Sequence, residues 1–337
     1  MSNKVIIIIL LVASIAVHFA FFGHPQETVF DEVHFGKFIS AYYTGEYYFD
    51  IHPPLGKLII AGFAKIFDFE PQYSFVNIGA QFPDKKYLIL RFLPALAGTF
   101  LPLVIFMLIL ELGMSRMAAF AGALLIIFDN ALLTQSRFIL LDPFLLLFGF
   151  TSLLFYFKYT GNRILNTKYL IFAAIFGGLT ISIKWTGLSF IALPILIEDY
   201  HCSIKLSYDN FIEHFKRVTV FLSIPLVIYF SIFALHFSLL PKPGPGDAFM
   251  KPNFRQQNIV KNIWDLNIEM YKSNQRLGAT HPYGSQWYSW PFMARSIYYW
   301  NDQTDTGEEK IYFIGNPVVW WTSTAAVIYG LWTMAYG

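Results

Sequence analysis

The sequence is poor in charge and almost devoid of cysteine, and both shortages limit what the protein can be. Charged residues make up 14% of the chain, whereas soluble domains carry about 25%. Because 55% of the residues are hydrophobic, the composition indicates a multi-pass membrane protein. With Cys202 as the one cysteine, no internal disulfide can form, and a nucleophilic or metal-binding role for a lone cysteine is uncommon.

The sequence signatures of several functional classes are missing as well. The formal net charge is only +2, which argues against nucleic acid as a partner. There is no phosphate-binding loop, no nucleophile-elbow motif and no dinucleotide-binding fingerprint. No grouping of histidine, cysteine or acidic residues has the spacing of a metal site. We therefore expect neither a metal nor another cofactor.

Long apolar runs are what the sequence does contain. The first, residues 5–22, follows Lys4, has a length that suits a membrane span, and is not followed by a cleavage-site pattern. We interpret it as a signal anchor rather than a cleaved signal peptide, with its N-terminus in the cytoplasm. The other predicted spans cover residues 88–110, 117–128, 137–157, two short helices within 169–197, 218–240 and 317–337. Together they predict an all-α integral membrane protein of about eight transmembrane helices in one domain, residues 1–337.

Two sizeable loops, residues 23–87 and 241–316, are predicted to lie outside the membrane. The orientation follows from the loop after the fourth span, where three basic residues, beginning with Lys158, lie close together. Basic residues concentrate in cytoplasmic loops, so this loop is placed in the cytoplasm. The two helices within 169–197 are expected to meet near Lys184 on the outer side. A single span there would invert everything that follows.

The first external loop is predicted to be ordered. Apolar and aromatic residues recur at helical spacing over 35–43 and again over 58–67. Both segments are typical of short helices that lie in the membrane interface, and their aromatic rings either pack on the membrane surface or contact a ligand. Residues 129–136 are predicted to form a short outer turn, with Arg137 opening the next span.

Six ionisable residues fall at the outer ends of the predicted spans, although they come from separate parts of the chain. Such residues cost about 2.5–3.5 kcal/mol each at bilayer depth, so they are retained where they have partners or a function. Their convergence on one face predicts a polar cavity that opens outward. The alternative is that each residue pairs locally or extends to the interface. The six residues are Asp31, Arg91, Asp129, Arg137, Asp142 and Lys184.

This predicted cavity has the chemistry of a transfer reaction that uses a lipid phosphate. Three cations, Arg91, Arg137 and Lys184, can cradle a phosphate group. A carboxylate beside them, from Asp31 or Glu32, can act as a general base on a hydroxyl group. An anionic lipid-phosphate donor with a hydroxyl acceptor is typical of glycosyl transfer at a membrane, and the charges do not identify the sugar.

Histidines near this region have more than one interpretation. His34 lies three residues after Asp31, so a helix would place both on one face. It then either orients the carboxylate or is an ordinary interfacial histidine. His18, within the first apolar run, is expected to be a packed residue, and His52 and His281 each precede a proline in a predicted loop.

Eight short segments spread over nearly the whole chain carry the most specific signal in the sequence. They are FDEVHFGKF (30–38), YFDIHPPLGKL (48–58), LRFLPALAGTFLP (90–102), FDNALLTQSRFILLDP (128–143), SIKWTG (182–187), GPGDAFM (244–250), HPYGSQWYSWPFMAR (281–295) and GNPVVWW (315–321). In this order they resemble the protein O-mannosyltransferase family, membrane enzymes of the GT-C class. The resemblance implies mannose transfer from a polyprenyl or dolichyl phosphate to Ser or Thr hydroxyls of proteins, with inversion and without a bound metal.

The resemblance also implies roles for individual residues. Asp31 matches the acidic pair of the family's first external loop and would be the base, with Glu32 helping to place the donor or acceptor. Arg91 matches a family arginine at the start of the second span, which implies a phosphate contact. Further positions implied near the donor are Arg137, Asp142 and Lys184, and those implied near the acceptor are His34, His52, His281, Tyr283 and Trp287.

Two departures from the family pattern lead to further expectations. The loop after Pro241 has no room for the β-trefoil MIR domain of eukaryotic members, which implies a prokaryotic member with a shorter polyprenyl carrier. The family usually continues with more spans than this chain contains, so the chain is expected to be a fragment or a truncated relative. The implied location is the plasma membrane, with the active site on its extracytoplasmic face.

The implied partners are the lipid-linked donor, membrane lipid, and secreted or translocating polypeptides, with an association with the protein-export machinery. Two alternatives stay open at this point. One is a GT-C transferase that moves a lipid-linked sugar to a lipid or glycan. The other is a non-catalytic transporter or binding protein for a lipid phosphate.

Overall fold

The structure is a computed structural model that describes residues 2–161, 166–204, 208–276, 278, 284–304 and 307–336. Within these residues the chain is mostly helical, with one antiparallel β-hairpin. The helices are α1 (Asn3–Phe19), α2 (Glu32–Thr44), α3 (Leu55–Ile66), α4 (Tyr87–Glu111), α5 (Arg116–Ile127), α6 (Asn130–Arg137), α7 (Asp142–Gly161), α8 (Thr167–Ile181), α9 (Leu188–Ile204), α10 (Tyr208–Leu239), α11 (Ile259–Arg276) and α12 (Pro317–Tyr336). The hairpin pairs β1 (Ile297–Thr304) with β2 (Gly307–Phe313).

Three helices in the described ranges are long and apolar enough to cross a membrane: α4, α7 and the His214–Leu239 part of α10. Helices α5 and α6 pass the same test as a pair, bent by 54° at their junction, so length and composition support up to four spans. The apolar helices α1 and α8 are shorter, with 17 and 15 residues. The mostly helical membrane class is supported, whereas the predicted count of about eight spans is not confirmed.

The structure corrects the sequence-based prediction in three places. Residues 130–137, predicted as a turn, form α6 because the Asp129 carboxylate accepts a hydrogen bond from the Leu132 amide at 3.1 Å and caps the helix. The following helix therefore begins at Asp142 and not at Arg137. The second external loop contains α11, and the hairpin shows that the chain is not all-α.

Other predicted elements are confirmed. Residues 169–197 do form two helices, α8 and α9, separated by a short 3-10 turn, Trp185–Gly187, directly after Lys184. The two helical patterns of the first external loop correspond to α2 and α3. These helices pack against each other and, through α3, against α4, so the loop is an ordered part of the molecule.

The largest buried cluster joins this loop to the ends of the long helices. It includes Val29 before α2, Phe35 in α2, Ile60 in α3, Tyr87 at the start of α4 and Tyr299 in β1, all fully or almost fully buried. Burial of apolar surface stabilises a fold by about 25 cal/mol per Å². The cluster therefore fixes the loop, the hairpin and the helix ends relative to one another.

Hydrogen bonds attach the hairpin to the same region. The Trp300 indole donates to the Glu27 carboxylate at 2.7 Å. The Asn130 amide at the start of α6 donates to the carbonyls of Tyr312 and Ile314, each at 3.2 Å. The hairpin is thus held on one side by the first external loop and on the other by α6.

Candidate active site

The Asp31 carboxylate lies at the start of α2 and has no hydrogen-bond partner among the described residues. It occupies the N-cap position, yet its side chain does not cap the helix; the Glu32 carboxylate instead accepts from the Val29 amide at 2.8 Å. Phe30 has a φ of 46°, which bulky residues rarely adopt, and its ring stacks on Tyr299 at 4.0 Å. The chain is therefore held firmly just before an unengaged carboxylate.

Glu32 is fully engaged with Arg91, and both side chains have no exposed surface. Nε and Nη2 of Arg91 donate to the two Glu32 oxygens at 2.8 and 2.7 Å. Its other N–H groups donate to three backbone carbonyls, and Glu32 also accepts from the Ile139 amide at 2.9 Å. The three carbonyls belong to Gly23, Pro25 and Glu27.

This arrangement differs from the roles predicted for Arg91 and Glu32. A guanidinium has five N–H donors, and in Arg91 all five are directed to protein acceptors. No donor is left for a phosphate group in this arrangement. The pair instead joins α4 to the start of α2 and so positions Asp31.

A second ion pair, Asp142 with Lys184, lies close to Asp31. The Lys184 ammonium donates to both Asp142 oxygens, at 2.9 and 2.8 Å. Asp142 begins α7 and Lys184 precedes the turn between α8 and α9. The two side chains are 25% and 18% exposed, so a ligand can reach them.

Some of the six ionisable residues that were predicted to converge do lie close to Asp31, because their charges act on its carboxyl. Burial raises the pKa of the Asp31 carboxyl above its usual range. The nearby charges of His34 and Lys184 lower this pKa, whereas those of Asp142 and Asp50 raise it further. Asp31, Asp142 and Lys184 are thus brought together from three separate helix ends.

Tyr299 closes this group on the side of the hairpin. Its ring lies between Phe30 and Phe313, stacked on each, and its hydroxyl accepts from the Gln135 amide at 2.9 Å. Burial raises the pKa of the Tyr299 hydroxyl, and the negative charges of Asp142 and Asp31 raise it further. The phenol is therefore neutral and keeps a proton to donate.

The turn between α2 and α3 carries a third ion pair. The Lys57 ammonium contacts the Asp50 carboxylate and donates to the His52 carbonyl at 3.0 Å. It also lies 5.8 Å from the ring centres of both Phe38 and Tyr48, a distance typical of cation–π contacts. Lys57 is buried, so the turn is fixed around a buried charge.

The His52 imidazole lies between the second and third ion pairs. Burial lowers its pKa to about 4, and it is faced by the charges of Asp50, Lys184, Lys57 and Asp142. The ring is therefore neutral at physiological pH. A neutral imidazole can accept or donate one hydrogen bond without adding charge to the site.

Arg137 is bonded to the end of α1. Its Nη2 donates to the carbonyls of Val17 and Ala20 at 2.7 and 2.6 Å, which caps the C-terminal end of α1. It lines a cavity of about 390 Å³ between α6 and β2 together with Lys310. The described hydrogen bonds of Arg137 are thus with α1, and its charge is not among those that act on Asp31.

The residues predicted to contact the acceptor have different positions. His34 is exposed on α2 and its charge acts on Asp31. Trp287 is 72% exposed at the start of a short 3-10 turn. His281 and Tyr283 lie outside the described residues.

Sequence reasoning missed Asp50, Lys57 and Tyr299 as members of this site. Asp50 and Lys57 flank the Pro-Pro turn seven residues apart, which is a visible signal, but their pairing depends on how the turn folds. Tyr299 is 268 positions from Asp31 along the chain, and no local pattern relates them. No group of three or more His, Cys, Asp or Glu side chains that could hold a metal occurs among the described residues.

Comparison with known proteins places the chain in a family. The family model described as dolichyl-phosphate-mannose-protein mannosyltransferase matches residues 8–241, well over half of the sequence. The chain belongs to the protein O-mannosyltransferase family. Residues 259–337 match a second model, described as the C-terminal four-TMM region of protein-O-mannosyltransferase. The family consists of multi-pass membrane proteins of the GT-C class.

Named relatives agree with this assignment. Protein O-mannosyltransferase 1 of Drosophila melanogaster is 34% identical over 242 residues, which are 68% of this chain and 27% of the relative. Dolichyl-phosphate-mannose–protein mannosyltransferase 4 of Schizosaccharomyces pombe is 35% identical over 305 residues, 83% of this chain and 39% of the relative. The chain therefore spans only about a quarter to two-fifths of the length of these relatives.

A solved structure supports the same fold. The Saccharomyces cerevisiae protein O-mannosyltransferase Pmt1-Pmt2 complex bound to the sugar donor matches with a TM-score of 0.72 and 31% identity. The match covers 76% of this chain and 36% of that chain. The similarity therefore extends over about three quarters of this chain.

Proposed function

We propose that this chain transfers mannose from a polyprenyl-type phosphate mannose to Ser or Thr hydroxyls of proteins. The observation that carries the proposal is the state of Asp31. In a member of this family, it is the one carboxylate of the acidic pair that has no hydrogen-bond partner among the residues the structure describes. It lies beside Lys184, the accessible cation of the centre. A base and an anion-binding group side by side are what the reaction requires.

The proposed reaction is a single displacement. Asp31 takes the proton of the acceptor hydroxyl, and the hydroxyl oxygen forms a bond to the anomeric carbon of mannose. The bond between that carbon and the phosphate oxygen breaks on the opposite face, and its electron pair stays on the lipid phosphate. Attack from the opposite face inverts the anomeric configuration.

Lys184 is proposed to stabilise the departing phosphate. An ammonium is a compact point charge with three N–H donors, and Asp142 holds it at the break between α8 and α9. When a phosphate binds, the ammonium can turn part of its donation from Asp142 to the ligand. Arg91 and Glu32 contribute by holding the backbone at Asp31 rather than by contact with the substrates.

Acceptor contacts are proposed for the exposed and half-buried groups on the rim. The half-buried His52 can hydrogen-bond a hydroxyl or peptide group, and the exposed rings of His34 and Trp287 are proposed as further acceptor contacts. The proposed location is the outer face of a prokaryotic plasma membrane, where translocating polypeptides from the export machinery are within reach. No metal is proposed to take part, and activity that survives a strong chelator is the expected result.

The test is incubation of the purified protein with polyprenyl-phosphate mannose and a Ser/Thr peptide, read by mass spectrometry. We expect a hexose adduct on the peptide. Asp31→Asn should lower kcat by about 10²–10⁴-fold, the usual contribution of a general base, while binding of the lipid donor is kept.

The matched control is Asp68→Asn, which removes an exposed carboxylate from the same external loop. Asp68 has a positive φ of 49°, which asparagine tolerates well, so this variant should match the wild type. Adducts on lipid or glycan but not on peptide would favour the alternative acceptors. Donor binding without any transfer, and no effect of Asp31→Asn, would favour a transporter or binding protein.

A further inference from the structure

The Asp50–Lys57 ion pair is buried and takes no direct part in the proposed reaction. Its side chains are only 8% and 1% exposed. Buried ion pairs of this kind are weak contributors to stability, because desolvation of two charges offsets most of their attraction. A pair retained at this cost beside an active site calls for a role other than stability.

The pair controls the turn that carries His52. Lys57 bonds Asp50 on one side of the turn and the His52 carbonyl within it, at 3.0 Å. The His52 ring contacts Phe35, with ring centres 6.4 Å apart, and the Phe35 amide donates to the Asp31 carbonyl at 3.0 Å. One path of contacts thus runs from Lys57 to the backbone of Asp31.

The same turn is attached to the segments that carry the second ion pair. The Leu55 amide donates to the Ser182 carbonyl at 3.0 Å, two residues before Lys184. Gly56 packs so closely that an added Cβ would lie 2.9 Å from Leu141 and 3.4 Å from Ile183. Leu141 and Ile183 directly precede Asp142 and Lys184 in the chain.

We propose that Asp50 and Lys57 are positioning residues for the transfer reaction. By fixing the turn, the pair sets the His52 imidazole against the acceptor and sets the start of α3 against the chain segments that present Asp142 and Lys184. This inference rests on the proposed function. Reactions of this kind depend on geometry, since misplacement by about 1 Å can lower the rate about 10²-fold.

The experiment compares two double variants with the wild type. Asp50→Leu/Lys57→Met removes both charges together, so no unpaired charge stays buried, and the fold is expected to survive. Asp50→Lys/Lys57→Asp keeps an ion pair but moves the ammonium away from the His52 carbonyl. Both are expected to lower kcat about 10²-fold, with little change in the donor KM or in Tm.

A second buried pair supplies the matched control. Glu198 accepts from Arg217 at 2.8 Å, and these side chains are 7% and 22% exposed, but neither charge is among those that act on Asp31 or His52. Glu198→Leu/Arg217→Met is therefore expected to keep the wild-type kcat. If kcat falls in this control as much as in the Asp50/Lys57 double variants, the effect is a general consequence of removing a buried ion pair, and the positioning role is wrong.

A second readout does not depend on activity. Hydrogen exchange at C2 of the His52 ring, followed by mass spectrometry, should be slow in the wild type and several-fold faster in both double variants. Wild-type kcat and unchanged exchange in the neutral variant would overturn the proposal, as would full activity of the charge-reversed variant. If the wild type itself transfers no mannose, the proposed function fails, while the exchange rates still decide whether the pair positions His52.

Discussion

Two adjacent acidic residues have opposite environments in this protein. Residues i and i+1 of a helix do not share a face, and here Glu32 is fully buried whereas Asp31 is half-buried and has no hydrogen-bond partner among the described residues. Glu32 uses both oxygens to hold Arg91 and two backbone amides. The acidic pair is therefore one anchoring carboxylate and one carboxylate available for chemistry.

The pH dependence of the reaction tests this assignment. Lys184 lowers the pKa of Asp31, and Asp142, left unpaired without it, raises that pKa. Lys184→Gln should therefore raise the pKa of Asp31 further. Because the base must be deprotonated, the acidic limb of kcat/KM is expected to move to higher pH, on top of a lower maximal rate.

The control for that profile is Lys37→Gln, which removes an exposed cation of α2 that is not among the charges acting on Asp31. Its acidic limb should coincide with that of the wild type. An acidic limb in Lys184→Gln that stays in place, or moves to lower pH, would show that Asp31 is not the titrating base.

Substitution of Arg91 tests whether this residue stabilises the fold or binds the donor phosphate. Arg91→Met leaves the Glu32 carboxylate buried and unpaired, which is expected to lower the free energy of unfolding by about 3–5 kcal/mol. Arg91→Lys should rescue little, since an ammonium cannot reproduce the planar five-donor arrangement. Thermal unfolding in detergent measures both, with the exposed Lys85→Met at the start of α4 as the control.

Removing both partners separates the two roles of Arg91. Glu32→Leu/Arg91→Met should recover much of the lost stability, because no unpaired charge stays buried. If Arg91→Met is as stable as the wild type and has lost only its affinity for the donor, Arg91 contacts the phosphate as predicted from the sequence, and the structural role is wrong.

At the scale of secondary structure elements, α3 is fitted closely to its neighbours at Gly56, near its N-terminal end. Gly56→Ala would place a methyl group 2.9 Å from Leu141, which is fully buried and has little room to move. Overpacking of this kind costs about 1–3 kcal/mol, and displaced Leu141 and Ile183 would move Asp142 and Lys184. We expect a lower Tm and a lower kcat.

The same helix contains its own control. Gly62 is exposed and has nothing within 4 Å of an added Cβ, so Gly62→Ala should leave activity unchanged. It should stabilise α3 slightly, since alanine favours a helix over glycine by roughly 0.5–1 kcal/mol. Equal behaviour of the two alanine variants would contradict the close contact at Gly56.

Apolar runs predicted the long helices well, because burial in a membrane leaves a strong compositional signal. Helix α11 was missed although Ile263, Leu266 and Met270 recur at helical spacing and are buried, since proline and glycine before it suggested turns. The hairpin was missed although Tyr298, Tyr299 and Trp300 are typical of strands. In both cases the expectation of an all-α protein outweighed the local pattern.

The site was predictable only in part, because the topology of the whole chain shows which helix ends meet but not which groups each side chain contacts. Asp31, Asp142 and Lys184 each stand at a helix end, so a topology with all three ends on one face was enough to predict that they meet. The same rule gave Arg91 and Arg137 as phosphate contacts, whereas in the structure both donate to protein groups. A sequence does not show whether a cation faces a ligand or a neighbouring carbonyl. That distinction requires the folded chain.

Helix α4 offers a test of the proposed orientation in the membrane. Its N-terminal turn carries Arg91, which is bonded to Glu32 beside Asp31. With 25 residues, the helix is about 37 Å long at 1.5 Å per residue, enough to cross a hydrocarbon core of about 30 Å. Lys85 precedes the start of α4 and Met114 follows its end. These two exposed residues should therefore lie on opposite faces of the membrane.

Cysteine labelling in intact cells tests this arrangement. In a Cys202→Ser background, Lys85→Cys should react with a membrane-impermeant maleimide from outside, whereas Met114→Cys should react only after the cells are permeabilised. Both positions are exposed, so a difference in labelling reports the side of the membrane and not burial. The opposite pattern would place Asp31 in the cytoplasm, out of reach of translocating polypeptides, and labelling of both positions from outside would show that α4 does not cross the bilayer.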